Sequence, residues 1–210
     1  MIFHDIPQNT DIWMDMRVGK VGGSSIGKIM ANYGKAFGNP AHDLAVQIAI
    51  EQITGLRQEN GYTNEHMQSG HEQEPTARAL YEDEFFCTVS NGGFFEDGDI
   101  GVSPDGLVDD DGVIEIKSVI PTVHYATVER GTFDPSYKWQ LFFNLQQTGR
   151  EWIDFVSFCA GFPEGKRLYT YRIFRKDSGA VFAMIDTRMD EFRKLVETKK
   201  SVINNLNKSR

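Results

Sequence analysis

The chain has 210 residues, of which 40% are hydrophobic and 12% aromatic, and this suits one domain with a substantial core. It contains no run of 18 apolar residues, which excludes a transmembrane helix. Its two cysteines are too few for a disulfide scaffold or an iron–sulfur cluster, and its N-terminus lacks the features of a secretory signal, so we expect a cytoplasmic protein without a membrane partner. The net charge of −8 argues against a nucleic-acid partner, but the acidic side chains are concentrated between residues 36 and 120 and the rest of the chain is net basic.

The predicted elements begin with helices. The first 23 residues show no clear hydrophobic period. Ser24 is predicted to cap a helix over residues 24–33, and proline and glycine punctuation predicts a second helix over residues 40–55. A third helix is predicted to begin at residue 64 or 69 and to end at residue 86.

From residue 87 onward the hydrophobic period changes to two, which is typical of strands. Strands are predicted over 87–89, 94–95, 100–108 (interrupted by Pro104) and 113–119, with a turn at residues 109–112 before the last of these. The later predictions are a helix from Pro135 to residue 147, a strand over 152–160, a hairpin formed by 168–174 and 180–185, and a last helix from residue 186 or 187. This order predicts an α/β (α+β) fold with a small mixed β-sheet flanked by helices.

Three charged residues lie on the two predicted strands that flank the turn at residues 109–112. Asp105 and Glu115 are at matching positions on the two arms, so their carboxylates are expected side by side. Two adjacent carboxylates repel unless a cation or a proton lies between them, and Mg²⁺ prefers such oxygen ligands. Lys117 projects to the same face as Glu115, where an ammonium group can orient a water or stabilise charge at phosphorus.

The Glu-x-Lys pair alone is more often a solvent-facing pair on a strand than a functional site. Here the flanking residues are apolar, however, and burying three charges is costly unless they serve one another or a metal ion. The full pattern of Pro104-Asp105, a ten-residue interval across a turn and Glu115-Ile116-Lys117 therefore favours a metal-dependent active site.

This pattern resembles the signature of the PD-(D/E)XK nuclease superfamily, and the wider match resembles the phage lambda exonuclease family, also described as YqaJ-like viral recombinases. The stretches that carry the resemblance are Trp13 to Arg17 with Ser24, Gly70 to Glu74 with Ala77-Arg78, Ser103 to Leu107, Glu115 to Lys117, and Tyr137 to Gln140. The resemblance implies a restriction-endonuclease-like core for this chain.

By position, the resemblance also implies roles for individual residues. Asp105 and Glu115 would bind the metal with the backbone carbonyl of Ile116, and Glu74 would complete the site directly or through a water. Lys117 would position or activate the attacking water, and Gln140 would line the active site. Arg17 and Ser24 would contact the 5′-phosphate of the DNA, which agrees with the affinity of arginine and of helix N-termini for phosphate.

The activity that the resemblance implies is Mg²⁺-dependent digestion of one strand of double-stranded DNA from its 5′ end, with Mn²⁺ able to substitute. The family forms a homotrimeric ring around DNA and acts beside a single-strand annealing protein in phage recombination, within the bacterial cytoplasm. We expect one nuclease domain over residues 1–210, with a helical part (1–63), a catalytic core (64–160) and a C-terminal hairpin and helix (161–210). Two alternatives stay open: another PD-(D/E)XK endonuclease, or a catalytically silent protein that binds DNA ends.

Overall fold

The computed structural model describes residues 1–58 and 65–206, and of residues 65–71 it describes the backbone alone. Its helices are α1 (Asp11–Met16), α2 (Ile26–Met30), α3 (Asn39–Thr54), α4 (Glu65–Phe85), α5 (Pro121–Arg130), α6 (Lys138–Thr148) and α7 (Gly179–Asn204). Its strands are β1 (Ile2–His4), β2 (Val89–Asn91), β3 (Phe94–Asp97), β4 (Ile100–Val102), β5 (Gly106–Val108), β6 (Gly112–Ser118), β7 (Trp152–Phe158) and β8 (Leu168–Phe174). In the part of the chain so described, no helix combines the length and the apolarity needed to cross a membrane.

The described strands form two sheets. The larger sheet has the order β2-β5-β6-β7-β8, in which β6 and β7 run parallel and the other neighbours run antiparallel. The smaller sheet has the order β1-β3-β4 and is antiparallel throughout. The predicted small mixed sheet flanked by helices is therefore confirmed, with a second sheet that the sequence had not indicated.

The two faces of the larger sheet bury two hydrophobic clusters. Alternate residues of β6 and β7, such as Val113 and Phe155, join the cluster that includes α2, α3, α6 and α7. Ile114 and Val156 point the other way and pack with Ala77 and Tyr81 of α4. The charged residues of β6 at positions 115 and 117 share the face of Val113, so they lie beneath the helices of the first cluster.

Most predicted helices are confirmed, with shifted ends. The third predicted helix is α4, which continues through Pro75. Its alternative start at Asn64 and the predicted boundary between residues 63 and 64 lie outside the described residues. The helix predicted after Pro135 begins as one 3₁₀ turn and becomes α6. The N-terminal stretch, predicted to be irregular, contains β1 and α1.

Two strand predictions are wrong. The strand predicted across Pro104 is two strands in different sheets, because the chain leaves β4 at residue 102 and enters β5 at residue 106. The second strand of the predicted C-terminal hairpin, 180–185, is the first part of α7, which begins at Gly179 instead of at residue 186 or 187. Its apolar residues Ile185, Met189 and Phe192 recur at helical spacing and are buried.

Candidate active site

Glu115 is the buried centre of the candidate site, with 1% of its surface exposed. Lys117 Nζ donates to its Oε1 at 2.6 Å, and Gln140 Nε2 donates to the same oxygen. Asn144 Nδ2 donates to Oε2 at 2.8 Å. Lys117 of β6 and two residues of α6 that are one helical turn apart, Gln140 and Asn144, thus hold this carboxylate from both sides.

Asp105 lies beside Glu115, as predicted by counting residues back along both strands from the turn at residues 109–112. β5 and β6 pair with Gly106 opposite Ile114, so the next pair toward the sheet end is Asp105 and Glu115. The backbone N–H of Asp105 donates to Ile114 O at 3.1 Å, and its Oδ2 accepts the N–H of Ile116 at 2.6 Å. Backbone pairing thus anchors Asp105 even though it precedes β5 itself.

The electrostatics of the pair favour a cation. Burial, followed by the charge of Asp105, raises the pKa of Glu115 to about 7. Burial lowers the pKa of Lys117, but the carboxylates of Glu115 and Asp105 outweigh that effect and raise it above its ordinary value. Lys117 is therefore charged at neutral pH, and the raised pKa of Glu115 means that its carboxylate is destabilised beside Asp105 until a cation or a proton neutralises it.

The residues present fit a hard divalent cation. Mg²⁺ typically takes one or two protein carboxylates and completes its shell with waters and phosphate oxygens. Asp105 and Glu115 supply two such carboxylates, and the repulsion between them is the energy that a cation would relieve. Among the side chains that the structure describes, those of residues 1–58 and 72–206, no group of three or more His, Cys, Asp or Glu is gathered closely enough to hold a metal ion. The backbone carbonyl of Ile116 stays a predicted ligand.

Glu74 is joined to the site through an arginine rather than gathered with the two carboxylates. Arg78 Nη2 lies 3.1 Å from Glu74 Oε1, one helical turn away on α4, and donates to the backbone carbonyl of Asp105 at 2.6 Å. The guanidinium thus ties α4 to the residue before β5. The role of Glu74 as a metal ligand stays a prediction.

Arg17 and Ser24, the predicted phosphate contacts, line one cavity of about 590 Å³ near the N-terminus. Lys20, Lys28 and Arg57 line it too, so it combines four basic side chains. Burial lowers the pKa of Arg17, and the carboxylate of Glu51, which also lines the cavity, acts in the opposite direction. Such a concentration of cationic groups suits a phosphate.

Trp13 connects this cavity to the carboxylate pair. The guanidinium carbon of Arg17 lies 4.1 Å from the centre of the Trp13 ring, and Trp13 Nε1 donates to Ser103 Oγ at 2.7 Å. Ser103 is two residues before Asp105. The indole of Trp13 therefore contacts both Arg17 and the segment that leads to Asp105.

The prediction that Ser24 caps a helix is wrong. The helix α2 begins at Ile26, and Ser25 precedes it. Ser25 Oγ is bonded to the backbone of Gly22, accepting its N–H at 3.1 Å and donating to its carbonyl at 2.9 Å. Ser24 is exposed in the turn before the helix, and its position in the cavity leaves its phosphate-binding role a prediction.

Residues that contact the site but had been given no role from the sequence include Trp13, Arg78, Ser103 and Asn144. Arg78 and Ser103 reach it through contacts between distant parts of the chain, which no local spacing reveals. Asn144 had a local signal, because it follows Gln140 by four residues and so lies on the same helix face.

The model of the YqaJ-like viral recombinase domain matches residues 12–151, about two thirds of the chain. The chain belongs to the YqaJ-like viral recombinase family. The matched segment contains every residue of the candidate site, from Trp13 to Asn144. No curated protein matches the chain.

Solved structures agree with the YqaJ-like assignment. An alkaline exonuclease from Laribacter hongkongensis, LHK-Exo, is 30% identical with a TM-score of 0.83, and the match covers 95% of this chain and 99% of that one. The same enzyme in complex with dAMP matches with the same values. A phage-related exonuclease from Haemophilus somnus 129PT is 18% identical with a TM-score of 0.64 over 90% of this chain and 96% of that one, which supports the fold alone. The predicted family and fold class are confirmed.

Proposed function

We propose that this YqaJ-like protein is a Mg²⁺-dependent 5′→3′ exonuclease, which digests one strand of double-stranded DNA from 5′-phosphorylated ends. The products are mononucleotides and a 3′ single-stranded overhang. The observation that carries the proposal is the contact of Glu115 with Lys117 beside Asp105, in a chain 30% identical to an alkaline exonuclease solved with a deoxynucleotide.

The side chains of the site have separable tasks in this proposal. Asp105 and Glu115 hold the ion, which when bound activates water and neutralises charge on the phosphodiester. Lys117, kept protonated by the two carboxylates, stabilises the charge that develops on the phosphate oxygens or orients the attacking water. Gln140 and Asn144 fix the orientation of Glu115 through their amide groups.

The 5′ end is recognised in the cavity lined by Arg17 and Ser24. Arginine binds phosphate through two parallel hydrogen bonds, and Lys28 and Arg57 add positive charge on the cavity wall. The Arg17 guanidinium is oriented by its stacking on Trp13, which reduces the entropy lost on binding. A 5′-phosphate therefore binds more tightly than a 5′-hydroxyl.

The test uses linear duplex DNA with a labelled 5′ end carrying phosphate or hydroxyl, in Mg²⁺ or EDTA, beside closed circular DNA. We expect mononucleotide release from 5′-phosphorylated ends in Mg²⁺ and none in EDTA, with circles intact. The variant R17A should reduce the preference for phosphate over hydroxyl ends by about tenfold or more, the order of magnitude of one charge-assisted hydrogen bond.

Other products would replace this proposal. Nicked or linearised circles indicate an endonuclease, since closed DNA offers no end. Tight binding of ends with no hydrolysis in Mg²⁺ or Mn²⁺ indicates a silent end-binding protein.

The family resemblance supports three further proposals about how the protein acts. It forms a homotrimeric ring around duplex DNA, its 3′ overhang is passed to a single-strand annealing protein, and Mn²⁺ replaces Mg²⁺ in hydrolysis. We expect it to act in the cytoplasm of a bacterial host. Light scattering at micromolar concentration tests the ring, because a monomer mass contradicts it.

A further inference from the structure

Asn144 lies between the Glu115 carboxylate and the turn of Gly23 and Ser24 at the basic cavity. It lies on α6, has 1% of its surface exposed, and donates from Nδ2 to Glu115 Oε2 at 2.8 Å. Its Oδ1 is buried and has no hydrogen-bond partner in the part of the chain that the structure describes. Leaving a buried amide oxygen unpaired costs free energy, so packing against its surroundings must hold it there.

The other side of the amide packs against Gly23. A Cβ atom added to Gly23 would lie 2.4 Å from Asn144 Oδ1, closer than real Cβ contacts, and 3.2 Å from its Cγ, which is a tight contact. The backbone of Gly23 is buried and belongs to the turn that presents Ser24 to the basic cavity. The amide of Asn144 therefore fills the space between the buried carboxylate and the turn that carries the phosphate contact.

We propose that Asn144 is a positioning residue that holds the carboxylate of Glu115 at a fixed distance from the turn of Gly23 and Ser24. This inference rests on the proposed exonuclease function. It assigns the alignment of the metal-binding carboxylate and the 5′-phosphate contact to one side chain. The Asn144 amide is held on one side by its hydrogen bond to Glu115, and on the other side it packs against the backbone of Gly23, which has no Cβ.

Two opposite changes should therefore damage the site in the same way. Asn144→Ala removes the donor to Glu115, and Gly23→Ala pushes the amide away from it. Gly23 does not have a positive φ, so alanine fits its backbone conformation and acts through the clash alone. In the double variant the alanine at position 23 meets no amide and adds no further effect.

The test is a double-mutant cycle of N144A, G23A and the pair, with G27A as the matched control. Gly27 is a nearby glycine of α2 whose added Cβ would meet nothing within 4 Å. We expect N144A and G23A each to lower kcat by roughly 10–100-fold and to weaken Mn²⁺ binding by the DNA-free protein, as changes behind a metal ligand do. KM for 5′-phosphorylated ends should stay within about twofold, because the phosphate contacts are retained.

The outcome that supports the inference is strong non-additivity, with the double variant no worse than N144A and with G27A equal to wild type. A G23A variant that matches wild type, or effects of the two changes that multiply, would overturn it. Thermal unfolding checks that each variant is folded, and Asn144→Ser replaces N144A if the alanine variant does not fold. Wild-type protein without exonuclease activity would instead overturn the proposed function, so the two failures are distinct.

Discussion

At the scale of single residues, Lys117 determines the charge balance of the site. Its ammonium contacts the buried carboxylate of Glu115, and its Nζ lies 5.2 Å from the centre of the Tyr137 ring. Glu115 and Tyr137 both favour the protonated form of Lys117. The face of the Tyr137 ring also attracts the ammonium group without the need for hydrogen-bond geometry. Lys117 is thus fixed where it can serve the reaction without first being ordered by the substrate.

We predict that Lys117→Ala lowers the rate of DNA hydrolysis by roughly 10²–10⁴-fold, the usual contribution of one positioned acid–base or charge-stabilising group. Binding to 5′-phosphorylated ends in EDTA should persist, since Arg17 and its cavity are unchanged. Rates of mononucleotide release and a mobility-shift assay measure the two quantities.

The matched control for that prediction is K194A, which removes an exposed lysine from α7. Its rate should equal that of wild type. Undiminished hydrolysis by K117A would remove Lys117 from the mechanism.

The sequence predicted the positions of those site residues that lie on one local hairpin. Asp105, Glu115 and Lys117 follow from alternation and from counting back from one turn, and the observed register agrees. The side chain of Trp13 reaches Ser103 across 90 positions of sequence, and no periodicity encodes such a contact. Ser24 and Ser25 are both residues of a type that caps helices, but Ser25 has the N-cap position, and its hydroxyl bonds back to Gly22 instead of capping α2.

At the scale of elements, α5 is attached to the large sheet by a buried histidine. His124 is fully buried, and its Nε2 lies 3.2 Å from the carbonyl of Lys166, so Nε2 carries the proton of the neutral ring. Its Nδ1 then accepts from Ser157 Oγ at 2.8 Å. Burial lowers the pKa of His124, against the opposing effect of the Lys166 carbonyl.

This pKa predicts a loss of stability in mild acid. The folded-state pKa lies below the unfolded value of about 6.5, so the unfolded chain binds more protons as the pH falls through and below that value. Stability from the neutral ring is fully present above about pH 6.5 and decreases toward the folded-state pKa. Urea unfolding at about pH 7.5 and 5.5 should show a smaller decrease in unfolding free energy for H124Q than for wild type.

The control is H42Q, which changes a half-buried histidine on α3 and should retain the decrease seen in wild type. An equal decrease in wild type and H124Q would contradict the assignment of this effect to His124.

Helices were predicted more reliably than the ends of strands, for a physical reason. Residues 180–185 form a short apolar run after a turn-like Asp-Ser-Gly, and such a run suits a strand and a buried helix equally. The longer pattern from Ile185 to Val196 has the helical period, and the helix extends backward through the ambiguous run to Gly179. Pro104 marks a real interruption, but the sequence does not show that the chain changes sheets there.

At the scale of the whole molecule, Arg188 of α7 joins the C-terminal helix to the N-terminal part of the chain. Its side chain has 3% exposure and donates to the backbone carbonyls of Ile29, Ala31 and Lys35. Its guanidinium carbon lies 3.6 Å from the centre of the Phe37 ring. Together these contacts satisfy the carbonyls at the end of α2 and just beyond it, where helices leave acceptors unpaired.

We predict that R188M lowers the free energy of unfolding by about 1–3 kcal/mol, because methionine fills the space but leaves the buried Ile29 carbonyl unsatisfied. The comparison is R193M on the same helix, where the arginine is 41% exposed and pairs with Asp99 and Asp190. Exposed ion pairs contribute about 0–1 kcal/mol, so this control should be nearly neutral. Equal losses for both variants in urea unfolding would contradict the role given to Arg188.

The link between the two ends of the chain has a consequence for biosynthesis. Ile29 and Arg188 are 159 positions apart, and α7 also packs against α3. A ribosome releases the N-terminal segment first, so α2 and α3 wait with their apolar faces uncovered until α7 has emerged from the exit tunnel. The basic cavity between α1, α2 and α3 therefore takes its final shape only after α7 has been synthesised and released. A growing polypeptide of this kind would not digest DNA before α7 has emerged and packed against α2 and α3.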